Sequence, residues 1–231
     1  MLFSKPNKAV GIDIGSHSVK AVQVGKAGGR LCVEQAGYAR VDANKMNVDP
    51  VLAQAEALGE ALRTISLAQS LVVGALPGQT VVIRYPRFAE MTQAELARAI
   101  EKEAGQSIPY ELSEVFLDWV LLDHVKEANE TKLKVLIVAA KHEVIDTRIQ
   151  VAQAADVKFG VLGVDSLALA DAAECCDFLR ASETVALMNL GATTTSIHFV
   201  KDGISNFIRD VSWGARELIQ AVAKSNRCED R

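Results

Sequence analysis

"GIDIGSHSVKAV", residues 11–22, is the stretch on which the fold turns. A short apolar run delivers Asp13, then Gly15, then the hydroxyls of Ser16 and Ser18, and a second apolar run starts at once. Near-continuous apolar runs suit strands covered on both faces, and Asp and Gly between them suit a turn. Taken singly, this is an ordinary hairpin. The chain repeats it. In "TVALMNLGATTTSIHFVKDGISNFIRDVSWGARELIQAV", residues 184–222, a strand ends in Asn189-Leu190-Gly191 where the first ended in Asp13-Ile14-Gly15. A hydroxyl tip, Thr193 to Ser196, follows, then a second strand, a Lys-Asp-Gly turn, a third strand and a helix. Both copies read β-β-β-α, a twofold duplication of one large unit and not a short-period solenoid.

Two such tips facing each other across a cleft have a use. Glycine lets backbone N–H groups approach phosphate oxygens closely, and Ser and Thr add donors. A carboxylate on one side can hold Mg²⁺, usually through water. The pattern therefore predicts a nucleotide-phosphate clamp.

Between the copies, "LCVEQAGYARV" follows the glycine turn "KAGGR" as a third strand. Asp49 and Pro50 read as N-cap and first residue of a helix, with Leu52, Ala55, Leu58, Leu62 and Ile65 as its inward stripe. "SLVVGALPG" is the next strand. A block with its own pattern follows: strand "TVVIRYPRF", a helix opened by the Thr92/Glu95 capping box with Leu96, Ile100 and Ala104 inward, the proline turn "SIPY", and strand "VFLDWVLLDHV". The earlier pattern resumes with strand "KLKVLIVAA", a helix with Val144, Ile145, Ile149 and Ala152 inward, strand "VKFGVLGVD" and helix "SLALADAAE". The expected organisation is α/β: a first lobe over 1–77 and 126–175, a small inserted α+β subdomain over 78–125, and a second lobe over 176–231. The second copy stops soon after its helix begins, so that lobe is expected to be incomplete.

Composition narrows the function classes. With 231 residues and 49% apolar, the chain can bury a substantial core; a net charge of −4 argues against sequence-independent nucleic-acid binding. Cys32, Cys175, Cys176 and Cys228 form no CxxC pair and read as reduced thiols of a cytosolic protein. No run approaches the roughly 20 apolar residues of a membrane helix, and the N-terminus has no signal-peptide pattern. Direct membrane insertion is not expected; a membrane role would run through a partner. His17, His124, His142 and His198 lack metal-ligand spacing and are expected at the surface or in hairpins, with no protein-ligated transition metal. Trp119 and Trp213 read as core or edge aromatics. Asp165 precedes Ser166 at a helix start, where an aspartate commonly caps.

The two tips, "GIDIGSHSVKAV" and "NLGATTTSIHF", resemble the phosphate hairpins of the actin/hexokinase superfamily, and "SWGARELI" resembles its later glycine motif. "ALPGQTVVIRYPRF", "EKEAGQSIPYELSEVFLDWVLL", "VLIVAAKHEVID" and "VDSLALADA" are similar to segments of the PilM family of type IV pilus assembly, within the actin-like FtsA/PilM group. The resemblance spans about residues 9–222. It implies an actin-like (ribonuclease H-like) duplicated fold. It also implies ATP and Mg²⁺ as ligands, with Asp13 acting on the metal through water. Gly15, Ser16 and Ser18 would contact phosphates from one side and Asn189, Gly191, Ala192, Thr193 and Thr194 from the other. Gly214 would let the backbone pass close to the nucleotide, and Asp165 would orient the attacking water. Asn189 stands where the superfamily often has aspartate, which removes a charge near the metal and points to a weak ATPase at most. The family's adenosine motif lies beyond this chain, so weak nucleotide affinity is expected.

The partner implied is the cytoplasmic N-terminal tail of a PilN-like inner-membrane protein, near Ile108, Pro109 and Tyr110, alongside other pilus assembly proteins. The chain would then be cytoplasmic and peripheral at the inner membrane. The competing readings are an actin-fold ATPase or kinase with real turnover and an FtsA-like cell-division filament former. A sugar kinase would carry an acidic substrate motif in the first lobe, and FtsA an amphipathic C-terminal helix; neither is identified in the sequence.

Overall fold

The computed structural model describes residues 7–127 and 130–228. Three sheets organise them. The first is five-stranded, in order β3-β2-β1-β4-β9, from β1 (Lys8–Ile14), β2 (Ser18–Ala27), β3 (Arg30–Arg40), β4 (Ser70–Leu76) and β9 (Val161–Val164). The β1–β2 and β2–β3 pairs are antiparallel hairpins, while β1–β4 and β4–β9 are parallel. Parallel neighbours need crossovers, and helices supply them. Asp42 caps the short helix α1 (Ala43–Val48), and Asp49 accepts from Leu52 N at 3.0 Å to open α2 (Pro50–Ala61).

The core between this sheet and its helices is made by Val10, Ile12, Ile14 and Val19 against Ala53, Ala57, Leu58 and Val151. Of the expected stripe, Ala55, Leu58 and Ile65 are buried and Leu62 packs against them, the last two just past the end of the helix; only Leu52 is exposed, and Ala53, Ala57 and Ala61 join the contact. Small residues let α2 approach the sheet closely: a Cβ on Gly37 of β3 would lie 1.8 Å from the Ala61 carbonyl.

The second sheet is four-stranded. β5 (Val81–Arg84), β6 (Arg87–Ala89) and β7 (Val115–Glu127) all pair with β8 (Glu130–Lys141). "TVVIRYPRF" is thus two short strands, interrupted at Tyr85-Pro86, where the Pro86 carbonyl accepts Val135 N. β8, grouped from the sequence with the first lobe, pairs with all three of these strands and is the centre of this sheet. The capping box holds: Thr92 N donates to Glu95, and helix α3 (Gln93–Ser107) lays Leu96 and Ile100 on Leu133, Val135 and Ile137.

The third sheet, β10 (Thr184–Leu190), β11 (Thr195–Lys201) and β12 (Ile204–Val211), is an antiparallel meander. Helix α4 (His142–Ala154) follows β8, α5 (Asp165–Cys175) follows β9, and α6 (Ala215–Asn226) follows β12. One face of the third sheet meets α5: His198, on β11, is 1% exposed and hydrogen-bonds the Ser166 carbonyl. Of the two placements expected for it, surface or hairpin, His198 takes the hairpin one and is buried there. Met188, Phe199 and Phe207, on the opposite face, are exposed. The four cysteines are free and exposed. No described helix is long and apolar enough to cross a membrane.

Candidate functional site

The two hairpin tips line one cavity of about 810 Å³, together with Gln54, Gly78, Gln79, Arg148, Asp165, Ser196, Asp210 and Arg216. Asp13, Gly15, Ser16 and Ser18 come from one side, Asn189, Gly191, Ala192, Thr193 and Thr194 from the other, and Asp165 from the start of α5. Gly214 stands behind the second tip. Ile108, Pro109 and Tyr110 lie elsewhere, at the end of α3: Ile108 is buried as its C-cap, Pro109 and Tyr110 are exposed, and the Lys141 ammonium sits 4.5 Å from the Tyr110 ring centre.

The tips share one backbone circuit. Gly15 N donates to Ser18 O at 3.1 Å, and Gly191 N to Thr194 O at 2.9 Å. A Cβ on Gly15 would sit 3.0 Å from Ser18 O, and one on Gly191 2.8 Å from Thr194 O, so these glycines keep the turn tight. The glycine carbonyls are also held in the same sense. Gly15 O accepts Gln54 Nε2 at 3.2 Å, and Gly191 O accepts Ala215 N at 2.9 Å. Ala192 O accepts Arg216 N at 3.0 Å. In a trans peptide the N–H points opposite to the C=O. Holding those carbonyls turns the N–H groups of Ser16, Ala192 and Thr193 the other way, and among the described residues none of the three has a protein partner. The donor set that a phosphate chain needs is thus present on both tips.

Gly214 completes the second tip. A Cβ there would meet Gly191 O and Ala192 O, both at 2.7 Å. Its φ of −153° is open to any residue, so close approach and not backbone conformation calls for glycine. Glu217 accepts Gly214 N at 2.8 Å and opens α6.

The cavity's charges come in both signs. Asp13 pairs with Lys20 at 2.8 Å. Asp165 accepts Gly78 N at 2.9 Å and Ser166 N at 2.6 Å. Val164 and not Asp165 is the N-cap of α5; Asp165 is the first residue of the helix and ties it to Gly78, just after β4. Burial pushes its carboxyl above the ordinary carboxylate range, the two N–H donors pull back, and Asp210 and Asp13 push further. Asp210 is also raised by burial. It stands opposite Ser196 in the β11–β12 register, with an oxygen 2.6 Å from where a Gly78 Cβ would be. The buried Ser196 hydroxyl faces it and pulls its carboxyl back toward the ordinary value. Arg148, from α4, is 8% exposed; burial lowers its pKa, while Asp13 and Asp165 hold it up.

Lys20, Gln54, Gln79, Arg148, Asp210 and Arg216 were not singled out from the sequence. Arg148 carried a signal: with Val144, Val151 and Ala152 it falls on one helical face, a charge inside an apolar stripe. The Thr194 hydroxyl, expected toward a phosphate, donates to Gln79 Oε1 at 2.8 Å and bridges the second tip to the insertion. No group of three or more His, Cys, Asp or Glu among the described residues is placed to hold a metal directly. The residues do fit a hydrated Mg²⁺ beside Asp13 and a phosphate chain between the tips.

Paired β-β-β-α units presenting matched glycine tips to one cleft define the actin-like ATPase fold. Residues 11–228 match the profile described as "Type IV pilus assembly protein PilM", and the chain belongs to that family. Among solved structures, the protein of a PilM-PilN type IV pilus biogenesis complex superposes with a TM-score of 0.78 at 22% identity, over 98% of this chain and 67% of that one. The cytoplasmic domain of EpsL, an inner-membrane component of the type II secretion system of Vibrio cholerae, gives 0.55 at 12% identity, over 94% and 75%. The ethanolamine utilization protein EutJ of Carboxydothermus hydrogenoformans gives 0.51 at 15%, over 97% and 59%. At these identities the likeness is one of fold.

Proposed function

We propose that this chain is a nucleotide-binding scaffold of type IV pilus assembly that binds ATP between its two hairpin tips and receives the cytoplasmic tail of a PilN-like inner-membrane protein on its insertion. The observation that carries the first half is the matched backbone circuit of the tips around one cavity. In this reading Asp13 holds Mg²⁺ through water, after giving up part of its pairing with Lys20. The N–H groups of Ser16, Ala192 and Thr193 take phosphate oxygens, and Asp165 orients water. The metal, when bound, offsets phosphate charge. Asn189 contributes a hydrogen bond but no charge, so turnover is slow or absent. A division into first lobe, insertion and second lobe belongs to the same reading, with the insertion extended from residue 125 to Lys141.

The second half rests on β7. Among the described residues it pairs with β8 alone, leaving a 13-residue edge. An extended peptide can add to such an edge through backbone hydrogen bonds, with pockets selecting side chains. Near its start lie exposed Tyr110, Leu112 and Phe116, the last edge-on to His142 at 4.4 Å. Partner binding there would place the chain at the inner membrane without a span of its own. The test is a fluorescence titration with a synthetic N-terminal tail of a PilN-like protein, with and without ATP. Saturable binding that Phe116→Asp abolishes supports the site; binding indifferent to Phe116→Asp removes it.

A further inference from the structure

We propose that Arg148 is an anion-binding residue of the cleft: a fixed cation whose unused guanidinium N–H groups take phosphoryl oxygens of the nucleotide, so that part of the charge compensation does not depend on Mg²⁺. The inference rests on the nucleotide reading above and deepens it.

A buried positive charge needs compensation, and Arg148 has little from the protein. It is 8% exposed. Among the described residues its side chain makes one hydrogen bond, Nη1 to the Ile14 carbonyl at 3.1 Å, and forms no ion pair within 4 Å. The two carboxylates nearest in effect are otherwise engaged: Asp13 by Lys20 at 2.8 Å, Asp165 by the N–H groups of Gly78 and Ser166. A guanidinium has five donors in a planar fork. One is used, and the side chain lines the cavity beneath the first tip. A buried cation with spare donors beside engaged carboxylates awaits an anion rich in acceptor oxygens, and phosphoryl groups match the fork.

Holding the tip does not by itself explain the charge. On the second tip the carbonyls of Gly191 and Ala192 are held by neutral backbone N–H groups of Ala215 and Arg216. On the first, the Gly15 carbonyl is held by the neutral amide of Gln54. Neutral donors suffice for that task, so the guanidinium's charge is surplus to it.

The experiment is calorimetric titration of the whole chain with ATP, once in Mg²⁺ and once in EDTA, for wild type, Arg148→Lys and Arg148→Met. Melting curves of the ligand-free variants monitor folding. Wild type is expected to bind with Mg²⁺ and, more weakly, in EDTA. Arg148→Met is expected to lose affinity on the order of tenfold to a hundredfold, with the larger loss in EDTA, where no metal shares the compensation. Arg148→Lys, which keeps charge but not the fork, should fall between. Equal affinity in wild type and variants overturns the proposal, as does an equal proportional loss in Mg²⁺ and EDTA, the mark of a purely structural role. If Arg148→Met does not fold, Arg148→Lys decides on the same criteria. Wild type binding no ATP in either buffer would bring down the nucleotide reading itself, and this inference with it.

Discussion

Replacing Gly214 by alanine tests how the second tip is built. The new Cβ would lie 2.7 Å from Ala192 C, Ala192 O and Gly191 O. All three are backbone atoms, so no side chain can swing aside. Relief requires the tip and the start of α6 to separate by roughly 0.5 Å or more to regain van der Waals distance. That movement falls on two bonds next to the substitution, Ala215 N to Gly191 O at 2.9 Å and Arg216 N to Ala192 O at 3.0 Å, and stretches both toward the limit of useful hydrogen bonding. Losing them costs about 1 kcal/mol each, and overpacking adds about 1–2 kcal/mol. The expected destabilisation is therefore about 3–4 kcal/mol, or a fall in Tm on the order of 6–16 °C for a chain of this size. Thermal unfolding followed by circular dichroism reads it directly. Gly59→Ala is the control: it lies in α2, a Cβ there meets nothing within 4 Å, and a gain of about 0.5–1 kcal/mol is expected. A Gly214→Ala variant melting within about 1 °C of wild type would refute the close-approach account.

Asp13→Ala should weaken Mg²⁺-ATP binding more than Asn189→Ala, since only Asp13 carries charge; calorimetry giving equal effects would count against the metal assignment. Asp165 and Asp210 are both raised in the fold, so the native state holds protons more tightly than the unfolded chain, and their ionisation erodes stability as pH rises through the raised values. Asp210→Asn should accordingly raise Tm at pH 7, with the gain fading toward pH 4; a loss of Tm at pH 7 would show the carboxylate to be stabilising. His198 is lowered by burial, against the pull of Ser166 and Asp171, so its contribution is present above the ordinary histidine value near 6.5 and declines as pH falls below it. His198→Gln should flatten that part of the stability profile, and an unchanged slope would place the titration elsewhere. Phosphate release should stay below about 1 s⁻¹, the low end of ordinary turnover; sustained release above that would mark a working ATPase.

The two matched hairpins were legible in the sequence because their ingredients are local and occur twice: turn glycines, small hydroxyls and flanking apolar runs each act within a few residues. The capping box at Thr92 and the Asp49-Pro50 helix start were legible for the same reason. β8 was not. "KLKVLIVAA" is an apolar run that suits either sheet, and only its pairing with Val81–Arg84 and Val115–Glu127 places it in the second. On α2 the three- and four-residue spacing marked Ala55 and Leu58 rightly, and missed only that Leu52, in the first turn, is exposed. Asp210 was overlooked because nothing near it in sequence marks it: its partners, Ser196 and Gly78, arrive from β11 and from the start of the insertion. The burial of His198 was not legible because nothing in the sequence signals that α5 covers β11.

The central claim is that one ligand is held by both tips at once, and hydrogen exchange read by mass spectrometry on the free and Mg²⁺-ATP-loaded protein tests it most directly. Amides turned toward a phosphate chain gain protection when it binds. The account predicts protection appearing together in the peptides covering residues 13–18 and 189–194, with the same dependence on ATP concentration, and reduced in both when Asp13 is replaced by alanine. Protection of neither segment, or of one without the other at saturating nucleotide, would contradict it.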